Sequence, residues 1–136
     1  MESRVEKAVE NNKKGYNCSQ AVACTYCDLV GIDEKTMFKI MEGYGLGMGC
    51  ADGTCGAVSG AIALAGMKNS RGELEGPYTK GETYKISKDI VNQFLEKNKS
   101  IVCKELKGIG TGKVLRSCEG CIRDAAEIIE KILADK

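Results

Sequence analysis

The sequence contains no histidine, no tryptophan, two phenylalanines and one proline in 136 residues. Without imidazole, neither a Ser-His-Asp nor a Cys-His catalytic arrangement can be built, and no zinc site can use His. Any metal must be held by thiolate or oxygen. A c-type haem is excluded as well. Cys24-Thr25-Tyr26-Cys27 is followed by Asp28, and Cys118-Glu119-Gly120-Cys121 by Ile122, where haem attachment needs His. An excess of one charge is also missing, since 20 Lys+Arg against 19 Asp+Glu leave +1. That balance gives no electrostatic case for nucleic acid or an acidic membrane face, and so few aromatic rings leave little for base stacking. Long hydrophobic runs are absent too. The longest small and apolar run, Cys55 to Met67, is too short to span a bilayer, and Met1–Lys7 carries no apolar core of a signal peptide.

Eight cysteines and 17 glycines stand against these absences. The length fits one domain, residues 1–136, and buries about two-thirds of the surface of the unfolded chain, enough for an apolar core. The chain is expected to sit in a reducing cytoplasm, where eight cysteines do not read as a disulfide framework. Metal binding, thiol redox chemistry and plain burial remain as their roles.

Apolar residues recur at helical spacing throughout, and no alternating strand pattern is present. Val5, Ala8 and Val9 predict a first helix, and Ala21, Val22 and Leu29 a second from Asn17 to about Val30. Met37 to Met41, Gly56 to Met67, Tyr84 to Leu95 and Ile101 to Leu106 predict four more. Ile122, Ala125, Ala126, Ile129, Ile132 and Leu133 mark the clearest buried face. The expected fold is all-α, a single-domain bundle of about six or seven helices. Two glycine-bearing breaks organise it. Residues 43–56 form a glycine-rich loop carrying Cys50 and Cys55, and residues 69–81, with Pro77, read as a surface connection. Gly108-Ile109-Gly110-Thr111-Gly112-Lys113 approaches a phosphate-binding loop, but its glycine spacing is one residue short and Val114 stands where Ser or Thr is needed.

Four cysteines fall at predicted helix starts. Asn17-Cys18-Ser19-Gln20 reads as a capping box; Thr54 precedes Cys55, Ser100 precedes Cys103 by three, and Ser117 precedes Cys118. First-turn amides lack intrahelical partners and the helix end carries partial positive charge, so thiolate is favoured there. Thiolate is both the nucleophile of disulfide exchange and the ligand of iron or zinc. Cys24 and Cys27, inside the second helix, read as core. Cys121 makes a CxxC with Cys118, and Cys50 lies within reach of the same site across the glycine loop.

This pattern resembles a family of small redox-active proteins named for the cysteine signature C_GCAxxG_C_C. The resemblance is carried by Gly15-Tyr16-Asn17-Cys18-Ser19-Gln20-Ala21-Val22 and by Gly45-Leu46-Gly47-Met48-Gly49 leading to Thr54-Cys55-Gly56-Ala57-Val58-Ser59-Gly60-Ala61. It continues through Cys103-Lys104-Glu105-Leu106-Lys107-Gly108 and Cys118 to the closing helix. The resemblance places the family's motif cysteines on Cys18, Cys55, Cys103 and Cys118. In the central motif the order of Gly and Cys is transposed relative to the signature, although Gly49-Cys50-Ala51 occurs just before it. The family is also similar to the non-haem part of split-Soret cytochromes, which implies an iron–sulfur cluster and a homodimer.

Three functions compete. The first is electron transfer or redox sensing through an iron–sulfur cluster on Cys18, Cys55, Cys103 and Cys118, with Cys50 folded over it and an unidentified redox protein as partner. The second is thiol–disulfide exchange with Cys118 attacking and Cys121 or Cys55 resolving. The third is a structural Cys₄ zinc site in an interaction module. Under the first, the four motif thiols converge at the N-terminal ends of their helices.

Overall fold

Apolar side chains at three- and four-residue spacing become seven α-helices in the computed structural model, which describes residues 1–134. They are α1 (Val5–Lys13), α2 (Cys18–Tyr26), α3 (Glu34–Met41), α4 (Gly56–Asn69), α5 (Lys80–Asn98), α6 (Cys103–Lys107) and α7 (Cys118–Ala134). No named strand occurs among the described residues, and no helix there is long and apolar enough to cross a membrane.

Helix α4 is the centre of the bundle. It packs against α2, α5 and α7, and its contact with α2 is the most extensive in the molecule. Small residues make that closeness feasible. A Cβ at Gly60 would lie 2.7 Å from the Ser19 carbonyl oxygen, so only glycine allows α2 to come this near. Val22, Tyr26, Leu64, Ile90, Phe94, Ile122 and Ile129 are fully buried around it. Burial of such side chains stabilises the fold by about 1.5–3 kcal/mol each relative to exposure. The last helix closes the bundle against α1 and α2. The Tyr26 hydroxyl donates to Glu130 at 2.6 Å, the Arg4 amide donates to the same carboxylate, and Arg123 pairs with Glu6.

Two elements differ from the sequence expectation. The second helix stops at Tyr26 and tightens into a 3₁₀ turn over Cys27–Val30, ended by Gly31 in the left-handed conformation. The sixth begins at Cys103 rather than Ile101, because the preceding residues pair with another segment. Thr54 and Val102 form an isolated antiparallel bridge, and the Cys55 amide donates to the Ile101 carbonyl at 2.6 Å.

The glycine loop is more ordered than its composition implies. A 3₁₀ turn (Glu42–Tyr44) leads into a tight turn over Gly45–Met48, where Leu46 and Gly47 both have φ of +53°. Gly47 is required there twice over, since a Cβ would also lie 2.5 Å from the Cys103 Cβ. Residues 69–81 run over the surface, exposed or half-buried, as expected.

Candidate functional site

The starts of four helices meet at one place. Cys18, Cys55, Cys103, Cys118 and Cys121 all line a single cavity of about 360 Å³. Each is brought there by local chemistry near a helix start. Asn17 caps α2 through a complete capping box: its side chain accepts from the Gln20 amide at 2.8 Å, while Gln20 accepts from the Asn17 amide at 3.0 Å. Cys18 is then the first helical residue. Ser117 caps α7 by accepting from the Gly120 amide at 3.0 Å, which makes Cys118 the first residue of that helix.

The other two caps differ from expectation. Thr54 does not cap α4; it is engaged in the bridge to Val102, and Cys55 itself occupies the N-cap position. Ser100 does not cap α6 directly. Its hydroxyl accepts from the Val102 amide at 3.0 Å and donates to Glu105 at 2.5 Å, ordering the turn that delivers Cys103. A main-chain clamp joins these two segments. The Cys103 amide donates to Gly53 at 3.0 Å and the Lys104 amide to Ala51 at 2.8 Å, beside the Cys55–Ile101 bond. Cys55 and Cys103 are therefore fixed relative to each other by backbone, independently of their side chains.

The thiols interact in two pairs, Cys18 with Cys118 and Cys121 with Cys55. The neighbouring Cys18 thiol holds the Cys118 thiol down at about 6, assisted by the nearby Lys107 charge and a first-turn amide against the cost of burial. Cys18 is pushed up correspondingly. In the same way the Cys121 thiol lowers Cys55, and the amides of Ala57 and Val58 favour its thiolate further. Burial raises Cys103, opposed by Lys107. Two sulfurs of the five are thus favoured as thiolates, each with a protonated neighbour.

Cys121 proves as central as the four helix-start cysteines. The CxxC spacing pointed to Cys118 as its partner, but one turn along α7 it meets Cys55 instead. Cys50 is exposed and does not line the cavity; its thiol faces the Gly47 carbonyl at 3.6 Å within its own loop. The loop reaches the cavity through Leu46, not through Cys50. Cys24 and Cys27 are buried away from the site, and burial first of all pushes Cys24 up to about 12. They behave as core. Lys107 and Arg116 also line the cavity, and sequence reading assigned neither a role: Lys107 stands in the stretch after Cys103 without a chemistry of its own, and Arg116 stands in no motif.

The donor set is all sulfur, which suits iron–sulfur or zinc chemistry. Among the described residues, however, no three Cys, Asp, Glu or His side chains are grouped so as to hold one metal ion. A mononuclear Cys₄ site, with sulfurs about 2.3 Å from a shared centre, does not fit this spacing. A polynuclear cluster distributes its thiolates over several irons and so does not need them all around one ion, and the cavity wall carries five thiols.

No curated protein and no solved structure matches the chain. Residues 16–132 match the family described as "Putative redox-active protein (C_GCAxxG_C_C)". That stretch contains all five cavity thiols and the glycine loop beside them. The chain belongs to the C_GCAxxG_C_C family of redox-active proteins, and every cysteine that lines its cavity lies within the matched region.

Proposed function

We propose that the thiol cavity is the redox centre of the protein and holds a cysteine-ligated iron–sulfur cluster used for electron transfer or redox sensing. The observation that carries this reading is the meeting of five thiols, from four helices, on one cavity. Cys18, Cys55, Cys103 and Cys118 are the proposed ligands, and Cys121 is a fifth thiol able to substitute or to hydrogen-bond a ligand sulfur. When bound, the cluster supplies one-electron chemistry. The chain's own part is to favour thiolate at Cys55 and Cys118, to surround sulfur with helix-start amides, and to cover the site with Leu46 and Leu106.

Anaerobic purification followed by iron, acid-labile sulfide and visible absorption measurements tests this. Stoichiometric iron and sulfide with a charge-transfer band support it, and Cys55→Ser is expected to abolish loading while leaving helical circular dichroism intact. A colourless protein that gains no iron on reconstitution would overturn it.

The pairing of a favoured thiolate, Cys118, with a neighbouring thiol, Cys18, on the same cavity favours a second reading, thiol–disulfide exchange. The Cys118 thiolate would attack a substrate disulfide, forming a mixed disulfide and expelling one substrate thiolate. Cys18, after giving up its proton to that thiolate, would attack Cys118 and release the second. The balance is one substrate disulfide reduced to two thiols and the Cys18–Cys118 pair oxidised to a disulfide. A redox titration with thiol counting separates the readings: no pair titrating between about −300 and −120 mV removes this one.

A further inference from the structure

We propose that Lys107 and Arg116 form an anion-recognition site at the mouth of the thiol cavity, so that the small reactants it admits carry a carboxylate or phosphate group. The proposal rests on the cavity being the reactive site of this redox protein, and not on whether a cluster fills it.

Both cations line the cavity beside Cys103 and Cys118, and among the described residues no carboxylate lines it. Their meeting is built by the backbone. The Leu115 and Arg116 amides both donate to the Leu106 carbonyl, at 3.0 and 3.2 Å, which returns the chain to the end of α6 beside Lys107. Gly108 makes the return feasible, with φ of +79° and a Cβ that would lie 2.8 Å from the Lys113 backbone.

Arg116 is held rather than free. Its Nε and Nη2 donate to Asp124 at 3.1 and 3.3 Å, and Asp124, only 6% exposed, also accepts from Asn98 at 3.0 Å. Gly120 supplies the space, since a Cβ there would overlap the guanidinium. A buried carboxylate thus orients the guanidinium while its Nη1 has no hydrogen-bond partner among the described residues. Lys107 is exposed and has no carboxylate within ion-pair distance among them, yet its charge is felt at both Cys103 and Cys118. A prepositioned guanidinium and an unpaired ammonium on a concave, otherwise acid-free wall recognise an oxyanion. The cavity volume lies at the lower end of small-molecule pockets, and Cys118 is half-buried, so a reactant must enter rather than merely touch.

Paired alkylating reagents read this directly. The Cys118 thiolate displaces iodide from anionic iodoacetate or neutral iodoacetamide, and the ratio of the two rates cancels the thiolate fraction. The full reduced chain is used, its helical circular dichroism verified, with modification mapped by peptide mass. Exposed Cys50, outside the cavity, is the internal reference. The iodoacetate-to-iodoacetamide ratio at Cys118 is expected to exceed that at Cys50, and to fall about three- to fivefold in Lys107→Gln, as for one charge at about 6 Å in a largely aqueous medium. Raising ionic strength from about 0.02 to 0.5 M should erode the wild-type preference. Arg116→Gln should act in the same direction; if it fails to fold for want of a partner for Asp124, Lys107→Gln and the salt dependence decide. A Cys118 ratio equal to that of Cys50, unchanged in Lys107→Gln and insensitive to salt, would overturn the proposal. Because no iron is involved, that outcome is independent of whether the cluster reading stands.

Discussion

Cys118 shows how much a single thiol owes to its neighbours. An ordinary cysteine ionises near 8.5, whereas here a neighbouring thiol, a lysine and a helix-start amide bring it to about 6. Its alkylation by iodoacetamide is therefore expected to follow a midpoint near pH 6 in the reduced chain. Cys18→Ala, which removes the neighbouring thiol, should move the midpoint upward, while Cys18→Ser keeps a polar hydrogen there and should move it less; equal behaviour of the two variants would contradict a polar interaction between the two side chains. The sign for stability follows from the same shift. The folded pKa lies below the unfolded one, so ionisation of Cys118 stabilises the fold fully above about pH 8.5, and that contribution is lost as pH falls toward 6. Cys118→Ser should flatten this part of the stability–pH curve in denaturant titrations.

Helix ends and helix contacts carry the next set of consequences. Ser117→Ala removes the acceptor of the Gly120 amide and should cost about 1 kcal/mol in urea unfolding. Since α7 starts at Cys118, the same change should also raise the Cys118 alkylation midpoint. Gly60→Ala acts elsewhere on the scaffold. The added methyl meets the Ser19 carbonyl at 2.7 Å, and neither backbone can give without separating α2 from α4. A loss of about 1–3 kcal/mol is expected, the usual cost of overpacking. Because Cys18 and Cys55 ride on those two helices, reactivity at the cavity should change with it.

Across the whole molecule, the thiol cavity reaches α2, α4, α6 and α7, so the proposed cluster would couple loading to global stability. Saturating a cluster that binds only the folded chain should raise the thermal midpoint, and Cys24→Ala, confined to the core, should lower the midpoint without changing loading. The bundle and its helix-start cysteines were legible in the sequence because they rest on short-range rules. Periodicity placed every helix, and the Asn17-to-Gln20 and Ser117 signatures placed two caps that the structure contains. What was not legible depends on pairings distant in sequence. Thr54 looks like a cap until Val102 is known to lie opposite it, and Cys121 looks like the partner of Cys118 until α4 brings Cys55 to it. Lys107 and Arg116 are ordinary surface cations until the Leu106 carbonyl gathers both sides of the loop. The glycine loop could be read as a wrapping element, but not that Leu46 rather than Cys50 would face the cavity.

The closing of the bundle by α7 has a consequence for how the protein is made. Cys18 and its neighbour in the cavity, Cys118, are separated by about a hundred residues, and Cys55 likewise waits for Cys121 on the same last helix. At a translation rate of roughly 5–20 residues per second, the first thiol leaves the ribosome some 5–20 s before its partner. During that interval Cys18, Cys55 and Cys103 are bare nascent-chain thiols, exposed to whatever oxidant or stray metal the cell contains. The reactive centre therefore comes into being in one late step, when α7 docks, and a growing chain cannot acquire its chemistry piecemeal.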